Sequence, residues 1–144
     1  MDSVTVAHIF TTPLQRISVN GGDGLHAMKY SDLGFAGFGE AYFSMVEYNF
    51  IKPWKRHKKM TLNLVVPLGQ VQFIFFDNAG TVREEIIGKH RYVRLTVPPG
   101  IWFAFKGLEP TYSLLMNIAN IAHSPDEVER RELDDFEYEW DLKK

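Results

Sequence analysis

Residues 60–80 read MTLNLVVPLGQVQFIFFDNAG. Two apolar runs, 60–67 and 71–77, are separated by PLG at 67–69 and closed by DNAG at 77–80. Both have the length of a strand and neither carries a helical period. In the second run the order V-Q-F-I-F alternates with period two, and Y-V-R-L-T-V at 92–97 does the same. Such alternation puts one strand face in a core and the other outside, as in a sandwich or barrel rather than a parallel α/β sheet. Working outward, further candidate strands cover 4–10, 16–19, 41–48, 90–97, 101–106 and 112–121. The breakers NGGDG at 20–24, PPG at 98–100 and GLEP at 107–110 sit where turns are needed. The expectation is an all-β fold in one domain, 1–144.

One segment departs from this rhythm. SPDEVERRELDD at 124–135 opens with Ser124 as an N-cap and Pro125 at the first helical position, followed by acids, which predicts a short helix or turn. The tail FEYEWDLKK returns to alternation over 136–140, and LGFAGFGE at 33–40 reads as an irregular, aromatic-lined loop.

Composition narrows the function classes. The 144 residues are 45% apolar and 14% aromatic, ample for one packed core. Sixteen Lys and Arg against 18 Asp and Glu give a net charge of -2, which speaks against nucleic acid as a partner. Cysteine is absent, which excludes disulfides, thiolate metal sites and cysteine nucleophiles together. No apolar run reaches the roughly 18 residues of a membrane span, and the N-terminus MDSVTVAHIF lacks a signal-peptide core, so a cytoplasmic protein without a membrane partner is expected. The abundance of Phe, Tyr and Trp exceeds the internal needs of a small barrel and points to a homodimer through one sheet.

The charge is unevenly placed. Lys52, Lys55, Arg56, Lys58 and Lys59 surround His57 directly ahead of the 60–67 run, and no acid occurs between Glu47 and Asp77. A run this dense is either a solvated face or a receptor for an anion, for which a diphosphate is well suited. His57 is either a hydrogen-bonded structural residue or a base, since cationic neighbours keep an imidazole neutral and proton-accepting. Trp54 and Trp102 stand beside proline turns, where they serve as core lids or as stacking faces. The other histidines, His8, His26, His90 and His123, are scattered singly with no metal-ligand spacing, and no phosphate-binding glycine motif is present, so no metal or cofactor is expected.

The order of these pieces resembles a family. FGEAYFS at 38–44, the cationic lead-in to His57, the strand ending in PLG, VQFIFFD, LTVPPGIWFAF at 95–105 and HSPDEVERRELDDFEYEW at 123–140 follow one another as in RmlC-like cupins. The set is similar to the dTDP-4-dehydrorhamnose 3,5-epimerases, which act on nucleotide-linked 4-keto-6-deoxy sugars in cell-surface polysaccharide synthesis. The resemblance implies a double-stranded β-helix, or jelly-roll barrel, and a cofactor-independent enzyme whose partner is a nucleotide-diphosphate sugar, dTDP-linked. In those epimerases the histidine of R-G-L-H is the base; here Trp54-Lys55-Arg56-His57 keeps the histidine and not the arginine. A second family histidine falls on Phe103, and the family's tyrosine acid falls on Asn117. The sugar 3,4-ketoisomerases are also similar: their H-A-H-K-K-L has the length of Lys55-Arg56-His57-Lys58-Lys59-Met60, and their V-W matches Ile101-Trp102. The resemblance thus implies His57 as the catalytic base, with Lys52, Lys55, Arg56, Lys59, Asn63, Trp102 and Asn117 holding the substrate. The alternatives are a degenerate cupin that binds a nucleotide sugar or a protein without turnover and, with less support, a metal-dependent cupin.

Overall fold

The computed structural model describes residues 4–140. Its strands are β1 (Phe10–Pro13), β2 (Arg16–Ile17), β3 (Gly24–Leu25), β4 (Glu40–Glu47), β5 (Ile51–His57), β6 (Leu62–Leu68), β7 (Gln70–Phe76), β8 (Val82–Gly88), β9 (Val93–Val97), β10 (Trp102–Gly107), β11 (Tyr112–Ala119) and β12 (Val128–Arg130). Ten of these form two five-stranded sheets, ordered β1-β9-β6-β11-β4 and β12-β5-β10-β7-β8, and β2 pairs with β3 around NGGDG. Every pairing between named strands is antiparallel, and from β4 to β12 successive strands alternate between the sheets except for the β7–β8 hairpin, the signature of a jelly roll. Among the described residues no helix is long and apolar enough to cross a membrane.

The period-two pattern decides which side chains meet between the sheets. Leu62, Leu64 and Val66 of β6 join Val71, Phe73 and Phe75 of β7, Phe103 and Phe105 of β10, and Leu95 and Val97 of β9 in one buried cluster. Turning from β6 into β7 requires Gly69 at φ 84, where a Cβ would lie 2.3 Å from Ser113 Oγ; glycine alone fits.

Both sheets are also covered outside, which is why β6, β7 and β10 are buried almost throughout. On the outer face of the first sheet, fully buried Arg94 reaches the carbonyls of Ala27 and Leu33 and the carboxylate of Asp32, pinning the 26–34 loop across the strands. On the outer face of the second, Trp54, Ile74, Trp102 and Ala104 lie under Phe136, Tyr138 and Trp140. The alternation at 136–140 therefore survives as packing, without strand pairing.

Three expectations are corrected, and the short helix or turn expected after Ser124 is present as 3-10 turns. The stretch expected as a strand over 4–10 is a 3-10 turn, Val6–His8, that precedes β1, because Thr5 caps Ala7 N and the Asp77 carboxylate takes Val6 N. Residues 51–57, read as a lead-in, are themselves strand β5. Strand β8 went unmarked because its REE sequence is polar, yet it pairs with β7 along its whole length. The segment after Ser124 makes one 3-10 turn, Pro125–Glu127, without a serine cap, then β12, then a second turn, Leu133–Asp135.

Strand β4 closes one edge of the first sheet and shows Phe43 and Met45 to solvent, with Tyr48 and Phe50 exposed just beyond it.

Candidate functional site

Register assigns the cationic residues of β5 to faces. Cα partners on adjacent strands project to the same side. Lys55 pairs with Phe103 and Lys52 with Phe105, two aromatics of the inner cluster. The three-residue spacing between these lysines would ordinarily send them to opposite faces; a register shift between Phe103 and Phe105 brings both inward. His57, two residues beyond Lys55, shares that face, and its ring stacks beside Phe103 with centroids 6.2 Å apart. Trp54 and Arg56 point the other way. Trp54 is in the outer cluster, and Arg56 lies over Trp102 while its Nε donates to Glu129 at 2.8 Å.

His57 is held by a carboxylate that arrives from the far end of the chain. β12 pairs with β5, with Val128 opposite His57, and Glu127 just ahead of it approaches His57 Nδ1 at 2.6 Å. The other Glu127 oxygen accepts the backbone N–H groups of Lys59 and Met60. Burial raises the Glu127 pKa, but these backbone hydrogen bonds and the imidazole outweigh it and hold the acid below its ordinary value. An ionised carboxylate only accepts, so Nδ1 carries the proton and Nε2 keeps its lone pair. Burial lowers the His57 pKa; the Glu127 hydrogen bond opposes this without cancelling it, and Lys55 pushes in the same direction as burial. The imidazole is therefore neutral and basic at neutral pH.

Lys55 bears the heaviest electrostatic load. Burial, then Arg130, then Lys52 bring its pKa from 10.5 down to about 8. Its Nζ stands 5.9 Å over the Phe103 ring. Arg130 is its Cα partner on β12. Among the described residues, no carboxylate lies within salt-bridge distance of Lys52, Lys55 or Arg130.

The opposite wall comes from β4 and β11. Asn117 pairs with Leu64 of the inner cluster and with Tyr42, so Tyr42, Ser44 and Glu40 share the inward face of β4. Asn117 Nδ2 donates to Ser44 Oγ at 3.2 Å. The Tyr42 pKa is raised by burial and by Glu40, with Arg130 opposing, so the phenol stays protonated across the cleft from β12. His123, whose N–H donates to Glu40, adds its field to His57.

Of the residues singled out in the sequence, the structure puts His57, Lys52 and Lys55 together on the inner face of β5, and Asn117 on the inner face of the opposite sheet. It does not bring Arg56, Trp102, Asn63 or Lys59 to them. Arg56 and Trp102 form the outer stack. Asn63 is buried on the outer face of the first sheet, where its Oδ1 accepts from Arg94 and Thr96 and its Nδ2 donates to Gly34 O. Lys59 contributes only its backbone N–H to Glu127, and its side chain is exposed. Glu127, Tyr42 and Arg130 were not singled out. Tyr42 was legible, since E-A-Y-F-S-M-V puts it in phase with buried Val46. The acids after Pro125 read as the first turn of a helix and so concealed Glu127.

A neutral imidazole oriented by a carboxylate, beside cations that have no carboxylate partner among the described residues, with a protonated phenol on the inner face of the opposite sheet, can take a proton from carbon next to a carbonyl, stabilise the resulting oxyanion and return a proton from the other wall. No protein-family model matches the sequence, and no curated protein does. Solved structures do. A dTDP sugar isomerase from Desulfovibrio desulfuricans G20 shares 30% identity over 92% of this chain and 90% of that one, with a TM-score of 0.89. The dTDP-4-dehydrorhamnose 3,5-epimerase of Sulfolobus tokodaii, 16% identical, superposes over 99% of this chain and 86% of that one with a TM-score of 0.80. The sugar 3,4-ketoisomerase QdtA of Thermoanaerobacterium thermosaccharolyticum, solved in complex with TDP, is 15% identical, covers 91% of this chain and 96% of that one, and has a TM-score of 0.75.

Proposed function

The chain belongs to the RmlC-like cupin family of dTDP-sugar isomerases and epimerases, and on that premise we propose that it is a cofactor-independent isomerase or epimerase of a nucleotide-linked 4-keto-6-deoxy sugar, dTDP-linked, serving surface polysaccharide synthesis. Both reaction types begin with the same step. His57 Nε2 takes the proton from the carbon beside the sugar ketone, and the electron pair of that C–H bond passes into an enolate. Lys55, a partly buried cation, faces the oxygen on which that charge collects. Glu127 fixes the tautomer and stabilises the imidazolium that forms. Return of a proton from Tyr42, on the opposite wall, inverts the carbon and gives an epimer; where that carbon bears a hydroxyl, passage of the hydroxyl proton to the enolate oxygen and return of the proton on His57 to the former carbonyl carbon give the isomeric ketone.

The observation that carries this reading is the inward-facing His57 with Nδ1 2.6 Å from Glu127 Oε1. A cupin that binds without turnover has no use for an imidazole oriented in this way, so the enzyme reading is favoured. We further read residues 1–144 as a single cytoplasmic domain, with a second copy docking on the exposed apolar surface at the β4 edge.

The test is proton exchange. Incubated in D2O with a dTDP-4-keto-6-deoxy sugar, the enzyme should wash deuterium into the carbon next to the ketone, and His57→Asn should stop it. Retention of full exchange in His57→Asn, or its absence in the wild type with dTDP- and UDP-linked keto sugars alike, refutes the proposal.

A further inference from the structure

Strand β12 delivers two of the groups around the imidazole, Glu127 just ahead of it and Arg130 at its end. It is three residues long and lies at the edge of its sheet, paired with β5 and, among the described residues, with no second strand. So short an edge strand opens readily unless side chains hold it. On the inner face they do the reverse. Lys55 and Arg130 are Cα partners, two like charges directly opposite each other, which drives β12 away from β5.

The outer face opposes this. Glu129 stands opposite Arg56 and accepts from its Nε at 2.8 Å. The Arg56 hydrogen bond is also the main reason that the Glu129 carboxyl lies below its ordinary range. Arg56 in turn is fixed to parts of the molecule that do not depend on β12. Its Nη1 donates to Asn78 Oδ1 at 3.1 Å, and its guanidinium lies 4.7 Å from the centre of the Trp102 ring. Asn78 belongs to the turn between β7 and β8, which the Asp77 carboxylate ties by accepting the N–H groups of Ala79, Thr81 and Val6. Trp102 is buried on β10. A planar fork can stack and donate in two directions at once, which an ammonium cannot.

We propose that Arg56 is a positioning residue for the reaction proposed above, on which this inference rests: anchored on Trp102 and Asn78, it holds Glu129, and with it β12, against the repulsion between Lys55 and Arg130, and so keeps the Glu127 carboxylate on His57. The coupling runs through the backbone. Glu127 O accepts from Lys58 N at 2.9 Å, so a β12 that lifts from the end of β5 carries Glu127 with it. Lys59 and Met60 hold one carboxylate oxygen; the 2.6 Å approach of the other to Nδ1 depends on where β12 sits.

The test reads the sign of a titration shift. Burial lowers the His57 pKa, Glu127 opposes it, and Lys55 and His123 add to burial. Removing a nearby cation by itself raises an imidazole pKa, whereas withdrawing Glu127 lowers it. In Arg56→Met the His57 midpoint, followed by NMR through the imidazole signal that disappears in His57→Asn, should therefore move to lower pH. In the exchange assay kcat should fall about 10- to 100-fold, the cost of a small misplacement of a catalytic group, with KM unchanged. Arg56→Lys, which keeps the charge and loses the fork, should lose kcat as well, and so should Glu129→Gln. The two side chains are 24% and 39% exposed, so each variant should unfold cooperatively near the wild-type temperature. A midpoint that rises or stays in Arg56→Met, full kcat in Arg56→Lys, or a loss confined to KM overturns the positioning role and leaves the proposed reaction standing. A midpoint that falls in a protein that exchanges no keto-sugar proton upholds the hold on Glu127 and removes the reaction.

Discussion

Lys55→Met separates what this site costs from what it does. Burial, Arg130 and Lys52 take the Lys55 pKa from 10.5 to about 8. At about 1.4 kcal/mol per unit this fall corresponds to about 3 kcal/mol held against folding while the ammonium is charged. Between pH 8 and 10.5 the unfolded chain binds this proton and the folded chain does not, so stability rises with pH across that window. Below about 8 both states bind it, the slope vanishes, and the folded protein carries the whole penalty. Methionine fills a similar volume without charge, so Lys55→Met should be more stable than wild type at pH 7 by about 2–3 kcal/mol, a melting temperature raised by roughly 4–10 °C for a domain of this size. The gain should shrink as pH is raised from 8 towards 10. The same variant should lose turnover, since it removes the cation facing the enolate. Urea unfolding at pH 7, 8.5 and 10, run beside the exchange assay, measures both. A variant less stable than wild type at pH 7, or a stability difference that does not change with pH, refutes the reasoning.

Two further outcomes are expected. Glu127→Gln removes the group that raises the His57 pKa against burial, so the acid limb of kcat/KM, already below 6.5, should move to lower pH while the plateau falls by at least tenfold; an unmoved limb would show that the pair does not govern the titration. Tyr42→Phe should cut formation of the inverted product by about a hundredfold or more while deuterium wash-in by His57 continues; equal loss of both would place Tyr42 in binding, and no loss would remove it from the chemistry.

Much of the fold was readable because β pairing repeats on a period of two residues. V-Q-F-I-F and Y-V-R-L-T-V mark β7 and β9 and assign Phe73, Phe75, Leu95 and Val97 to the core before any contact is known. Where that period failed, a nonlocal partner had intervened. β5 looks like a charged linker, since its cations, some facing inward and some outward, hide the period-two apolar signal. Residues 124–135 look like a helix start, since Pro and acids favour one locally. There the pairing of β12 with β5, together with the capture of Glu127 by His57, outweighs that preference.

Residue order alone was enough to establish a sandwich of antiparallel strands, a histidine among cations at its mouth and kinship with sugar-nucleotide cupins, because alternation and motif order are local properties of the chain. Which cations face that histidine was decided only in three dimensions. A one-residue slip in the β5–β10 register turns Lys52 and Lys55 to the same side and leaves Arg56 outside. The carboxylate partner, the phenol and Arg130 likewise come from segments 70, 15 and 73 residues away in sequence, distances over which no periodicity carries information and only the closing of the two sheets brings atoms together.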